Sequence, residues 1–258
     1  MRALLLENIH PDGASALERA GFAVQSLDRA LEGDDLAQAL EGVHLLGIRS
    51  KSQVTASHLR EADSLLAVGA FCIGTDQIDL SAAAQNGIAV FNAPYSNTRS
   101  VVELALAEVI ALTRGLAEKN RLMHEGVWDK SAAGAHEVRG RVLGIVGYGN
   151  IGAQLSVLAE ALGMVVYFYD TADKLALGNA RRCGSLDDLL SVADVVTLHV
   201  DGRSGNAGLF GAKQFAAMKP GSLFLNLSRG FVIDTESLRE HLVSGHLAGA
   251  AVDVFPVE

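Results

Sequence analysis

Short apolar runs alternate with helical patterns along almost the whole chain, and that alternation narrows the fold more than any other feature. RALLLEN reads as a strand and DGASALERAG as a helix with Gly21 just past its end. Strands FAVQSL, VHLLGIR, LLAVGAF and IAVFNAP then alternate with helices DDLAQALEG, TASHLREA and LSAAAQNG. Strands joined through helices imply parallel sheets covered on both faces. This first series closes near Pro94. A long helix is expected over 97–125, with apolar positions at helical spacing and Gly115 marking a bend. It is long enough to bridge two domains. The small and polar stretch DKSAAGAHEVRGR leads into a second series, with strands VLGIVG, VVYFYD, ARRCG, DVVTLHV, GSLFLNL and LAGAAVDV.

The 258 residues, 49% of them hydrophobic, suffice for one large core or two smaller ones. A formal net charge of −9 and the lack of a long basic run argue against nucleic acid and anionic membrane as partners. An anionic substrate would have to be held by local Arg or Lys. VVELALAEVIAL is interrupted by Glu103 and Glu108 and reads as a core helix, not a membrane span. Cys72 and Cys183 form no CxxC pair and suggest buried thiols in a reducing compartment. A soluble cytoplasmic protein is the expectation.

The chemistry is most legible in VLGIVGYGNIGAQLSVLAEALG. A glycine triplet of this spacing is weak alone. Here a strand precedes it, a helix follows it, and a second strand ends at Asp170. Gly147 permits the tight turn, Gly149 lets a pyrophosphate approach the backbone, and Gly152 lets helix and strand pack closely. Amides near Asn150 and Ile151 then face phosphate at the positive helix end. Asp170, 18 residues beyond Gly152, can accept both ribose hydroxyls and would repel a 2′-phosphate, which favours NAD over NADP. A methyltransferase is the main competitor for such a loop, but it would usually lack the βα series that continues after Asp170.

Ligands of open α/β sheets sit at the carboxyl ends of strands. His199-Val200, Leu227-Ser228-Arg229 and Asp253 occupy such ends. His199 reads equally as a core histidine satisfied by backbone or as a cofactor contact. Arg229, just before Gly230, suits a bidentate clamp on a carboxylate and can polarise a carbonyl. Oxidising an alcohol also needs a proton acceptor, usually histidine. None of His10, His44, His58, His124, His136, His199, His241 and His246 is an obvious one. His58, His241 and His246 read as solvated residues on or beside surface helices.

The stretches GIRSKS, AVGAFCIGTDQIDL, GIAVFNAPYSNTRSVVELALAEVIAL, GVWDKSAAGAHEVRGRVLGIVGYGNIG, VYFYD, MKPGSLFLNLSRG and HLAGAAVDVFPVE together resemble the D-2-hydroxyacid dehydrogenase family, in its phosphoglycerate branch. They run in order over nearly the whole chain. FNAPYSNTRSV and GTDQIDL point to that branch, although Asp76 stands where Asn is expected and adds negative charge near an anion site.

The resemblance implies a flavodoxin-like substrate domain over 1–96, a Rossmann NAD-binding domain over 97–258, and a cleft between them. It implies oxidation of 3-phospho-D-glycerate with NAD, at the first step of serine synthesis, by a homo-oligomer when full length. Arg229 resembles the catalytic arginine and Glu258 the glutamate that orients the catalytic histidine. Gly147, Gly149, Asn150, Ile151, Gly152, Asp170, His199, Val200, Leu227, Ser228, Arg229 and Asp253 look like cofactor contacts, while Arg49, Ser50 and Asn97 resemble substrate-loop positions. Lys130 is matched to a phosphate contact, and reads equally as an exposed structural lysine. No metal is implied. The family's histidine lies in a PHIGG-like segment beyond its glutamate, so this chain is expected to stop short of it. The segment that closes the first domain, and a regulatory domain, are expected to be missing too, leaving an apolar patch exposed. Two alternatives stand beside this reading. One is another 2-hydroxyacid dehydrogenase, acting as a glyoxylate or 2-oxoglutarate reductase. The other is a non-catalytic NAD-binding module.

Overall fold

A computed structural model of the chain describes residues 1–256. It divides into two compact units, Met1–Asn97 and the residues from Thr98 onward.

The first unit runs β1 (Arg2–Leu5), α1 (Pro11–Arg19), β2 (Ala23–Ser26), α2 (Gly33–Ala39), β3 (Leu45–Ile48), α3 (Ala56–Glu61), β4 (Ala67–Ala70), α4 (Leu80–Gln85) and β5 (Ala89–Asn92). Its strands are parallel in the order β2-β1-β3-β4-β5, the flavodoxin-like arrangement. Alternate strand residues Leu4, Leu46, Ile48, Val68 and Ala70 join Leu36, Leu40, Leu59 and Ala83 in one core. The opposite face is thinner. There Gly47 leaves room for Leu5, Ile9 and Phe71, and a Cβ on it would lie 2.4 Å from Leu5 Cδ2.

The second unit opens with α5 (Thr98–Arg114) and α6 (Leu116–His124). The single helix expected over 97–125 is therefore two. Gly115 adopts φ 63°, a left-handed conformation that ends α5 and starts α6. Helix α5 buries Val102, Ala105, Val109 and Thr113 at helical spacing, whereas α6 buries no side chain. There follow β6 (Val142–Val146), α7 (Asn150–Ala161), β7 (Val165–Tyr169), β8 (Arg181–Arg182), α8 (Leu186–Val192), β9 (Val195–Leu198), α9 (Ala212–Ala217), β10 (Ser222–Asn226), α10 (Thr235–Val243) and β11 (Leu247–Val252). The parallel order β11-β10-β9-β6-β7-β8 is the Rossmann order read from its far edge. One face packs Leu143, Ile145, Phe168 and Leu225 against α5 and α7. The other packs Val146, Val196, Leu198 and Phe224 against Leu189, Phe215 and Leu238. Among the described residues, no helix is long and apolar enough to cross a membrane.

Candidate functional site

In the second unit the strand order reverses between β6 and β9, and a ligand crevice belongs at that point. The glycine turn lies there. Gly147 has φ 91°, and a Cβ on it would sit 2.5 Å from the His199 carbonyl oxygen. A Cβ on Gly152 would lie 2.3 Å from the Gly147 carbonyl oxygen. Both glycines are therefore demanded by the protein itself. Gly149 is different: a Cβ there would meet nothing within 4 Å among the described residues. It is also the cap of α7 and supplies no side-chain hydrogen bond, so no cap side chain covers the helix start near Asn150 and Ile151. Open space over a glycine at an uncapped helix start fits a pyrophosphate.

Asp170 ends β7 beside this turn. Its Oδ2 accepts from Tyr148 N at 2.7 Å and its Oδ1 from Ala172 N at 2.8 Å. Arg182 donates to the carbonyls of Asp170 and Ala172, which fixes the stretch. Tyr148 was not foreseen. Its ring stacks on Phe168 at 3.7 Å, and its hydroxyl reaches Ser156 and the Leu177 amide.

Across the reversal point, His199 is not satisfied by backbone. Its Nε2 meets Thr197 Oγ1 at 3.0 Å, while Nδ1 is buried with no hydrogen-bond partner among the described residues. Burial pushes the ring's pKa down to about 4, so it is neutral at neutral pH. An orphaned buried nitrogen against the glycine turn fits a cofactor group better than core packing. Val200 is half-buried beside it.

The third strand end is built by Asn226, which sequence reasoning passed over. Fully buried at the end of β10, it accepts from Ser228 N and Oγ and donates to the Arg229 carbonyl at 3.0 Å. Its own carbonyl takes the amide of the exposed Asp253 at 3.1 Å. One side chain thus braces the Leu227-Ser228-Arg229 turn beside Asp253. The one signal was an amide in the apolar run LFLNLSRG. Arg229 is half-buried and donates to the Ser228 carbonyl. Asp201 lies near: the Arg203 guanidinium holds its carboxyl below the usual range, and Arg229 adds to that field. Gly230 permits the closest approach, since a Cβ on it would lie 2.0 Å from the Phe255 carbonyl. The chain therefore comes up against the Arg229 turn at Phe255 and Pro256. Glu258, assigned the glutamate role, lies outside the described residues.

In the first unit the order reverses between β1 and β3. Arg49 and Ser50 follow β3 there and are exposed. Glu7, also not foreseen, takes the amides of Arg49, Lys51 and Ser52 at 3.1, 2.9 and 2.9 Å. Burial works to raise its carboxyl, but those amides outweigh it and hold the pKa below the ordinary value. Asn97 is exposed at the end of this unit, and Asp76 is exposed in a turn. Lys130 belongs to the second unit and lies over the Trp128 ring, 4.6 Å from its centroid.

The histidine readings need correction. His58 is buried, not solvated. Its Nδ1 takes the Thr55 amide and its Nε2 meets the Gly33 carbonyl, so it caps α3. His241 and His246 are half-buried, with ring nitrogens on the carbonyls of Ser237 and Phe215. Among the described residues no group of His, Cys, Asp and Glu is arranged to hold a metal ion.

A Rossmann sheet with a glycine cradle open for phosphate, and a carboxylate at the next strand end, defines a dinucleotide-binding protein. The family model for the D-isomer specific 2-hydroxyacid dehydrogenase, NAD binding domain, matches residues 106–258, and the chain belongs to that family. It is 49% identical, over its whole length, to the D-3-phosphoglycerate dehydrogenase of Haemophilus influenzae, and spans 63% of that relative. A solved protein of Thermus thermophilus superposes on the whole chain with a TM-score of 0.90, at 31% identity over 83% of that structure. The NAD-dependent formate dehydrogenase of Staphylococcus aureus, solved with NAD, gives 0.87 at 27% identity, over all of this chain and 82% of its own.

Proposed function

We propose that the protein carrying this chain oxidises 3-phospho-D-glycerate to 3-phosphooxypyruvate with NAD, at the first step of L-serine biosynthesis. Identity of 49% across both units to a D-3-phosphoglycerate dehydrogenase supports the substrate most directly. The open cradle at Gly149 supports the cofactor. In this reading Met1–Asn97 is the substrate domain and the remainder the NAD-binding domain. A cytoplasmic homo-oligomer accompanies it.

NAD accepts the hydride when bound. Gly147, Gly149, Gly152 and the start of α7 would hold its pyrophosphate, and Asp170 its adenosine ribose. His199, Val200, Leu227, Ser228 and Asp253 would line the rest. Arg229, fixed by Asn226, binds the substrate carboxylate and stabilises negative charge on the 2-oxygen as the carbonyl forms. Arg49, Ser50 and Asn97 are assigned as substrate-loop positions, with Arg49 reading the phosphate, and Lys130 carries over as a phosphate contact. Glu258 carries over from the resemblance as the acid that orients the proton-accepting base.

The test is a substrate panel with the intact protein. 3-Phospho-D-glycerate with NAD is expected to give the highest kcat/KM, and NADP little turnover until Asp170 is replaced by Ala. Faster reduction of glyoxylate or 2-oxoglutarate would assign a different member of the family. NAD binding with no turnover on any 2-hydroxy acid would favour a non-catalytic module.

A further inference from the structure

Glu7 is a buried acid that no step of the proposed reaction uses. It is 7% exposed, and its partners lie 42 to 45 residues away. The chain strains to place it: Glu7 and Asn8 are the non-glycine residues with positive φ among those described, at 60° and 54°. Such conformations are disfavoured for residues with a side chain and persist only where the surroundings hold them. Here the Glu7 amide bonds the Arg29 carbonyl and the Asn8 amide that of Leu27. The strained pair directs the carboxylate from the end of β1 toward the end of β3, at the strand-order reversal of the first sheet.

The loop it meets is tied from the other side as well. Gln77, also buried, donates from Nε2 to the Arg49 carbonyl at 2.6 Å. Ser52 Oγ accepts the Leu31 amide. The backbone of Arg49 is thus held at both its amide and its carbonyl, while its side chain is exposed. Closely spaced inward amides form a concavity that binds anions. In this loop the protein's own carboxylate already fills it.

We propose that Glu7 is a positioning residue for anion recognition. It fixes the 49–52 backbone so that the Arg49 guanidinium is presented in one place. By occupying the loop's amides it also leaves the substrate's anionic end to be read by side chains. This rests on the reading of Arg49 as a substrate contact. Because the charge needed is that of Arg49, the effect of Glu7 travels through that side chain and not through the cofactor.

The experiment is a double-mutant cycle in the intact protein, with Glu7→Gln, Arg49→Ala and the pair, using 3-phospho-D-glycerate and NAD. A glutamine would turn an NH2 group toward amides that now donate to a carboxylate. Glu7→Gln is expected to raise KM about tenfold, with kcat within about twofold and NAD affinity unchanged. In the Arg49→Ala background the same change should add less than about twofold. Glu7→Asp keeps the charge and should recover part of the loss. It also serves as the test variant if Glu7→Gln does not fold. An undiminished KM effect in the Arg49→Ala background overturns the inference and leaves Arg49 as a contact. So does lowered thermal stability with KM unchanged. An Arg49→Ala protein with normal KM overturns the Arg49 reading itself, and the inference with it. That outcome is visible in the single variant.

Discussion

His199 shows how one side chain ties the cofactor crevice to acid stability. Its pKa falls from about 6.5 unfolded to about 4 folded because the buried ring cannot be solvated when charged. Between those values the unfolded chain binds the extra proton and the folded one does not, so stability drops as pH falls from about 6.5 to about 4. The loss reaches up to about 3 kcal/mol and stops growing below about pH 4. His199→Gln keeps a partner for Thr197 but cannot titrate. Urea unfolding at pH 7 and pH 4.5 should show a smaller acid loss in the variant, and equal losses would show that His199 is accessible to protons in the fold. At this scale the strand-end placement of Asp170 and Arg229 was legible, because each charged residue closely follows an apolar run. Asn226 and Glu7 were not. Glu7 matters through partners more than forty residues away, which neither local pattern nor charge reveals, and Asn226 through a turn two and three residues on, for which an amide in an apolar run was the one signal.

Among the elements, the turn from β6 into α7 separates what the fold needs from what the ligand needs. Gly152 has no room for a Cβ because the Gly147 carbonyl is in the way, and Gly147 is held both by φ and by the His199 carbonyl. Gly152→Ala should cost about 1–3 kcal/mol in stability through overpacking. Gly149 faces open space, so Gly149→Ala should fold with a nearly unchanged melting temperature yet lose NAD affinity by tenfold or more. Calorimetric melting and NAD titration of the two variants provide the comparison. A Gly149→Ala protein that binds NAD normally would mean that no phosphate approaches that backbone. Most strands were readable from their apolar runs; the two-residue β8 within ARRCG carries no such run and was placed only by the βα alternation. The break between α5 and α6 was not, since a glycine within a helical pattern signals either a bend or a left-handed stop, and only its φ decides.

For the whole molecule, the βα alternation implied parallel sheets, but it did not say which strands are neighbours. The orders β2-β1-β3-β4-β5 and β11-β10-β9-β6-β7-β8 emerge only from tertiary pairing, and they fix where each unit's crevice lies. Each unit also has its own core: Leu46, Val68 and their helices in the first, and two clusters on the faces of the second sheet. Residues that fit NAD, from Gly147 to Asp253, all belong to the second unit. A ligand stabilises the cooperative body it binds, by about 2.7 kcal/mol at a hundredfold excess over Kd. Saturating NAD should therefore slow exchange of the most protected amides in β6, β9 and β10 by about a hundredfold where they exchange through opening of that unit. The most protected amides of β1 and β3 should change far less, because the residues read as the cradle all belong to the second unit. Hydrogen exchange read by mass spectrometry on peptides covering residues 2–5, 45–48, 142–146 and 222–226 distinguishes the cases. Equal slowing in all four would show that the two cores open as one cooperative body, and that a cofactor held by the second stabilises the first as strongly.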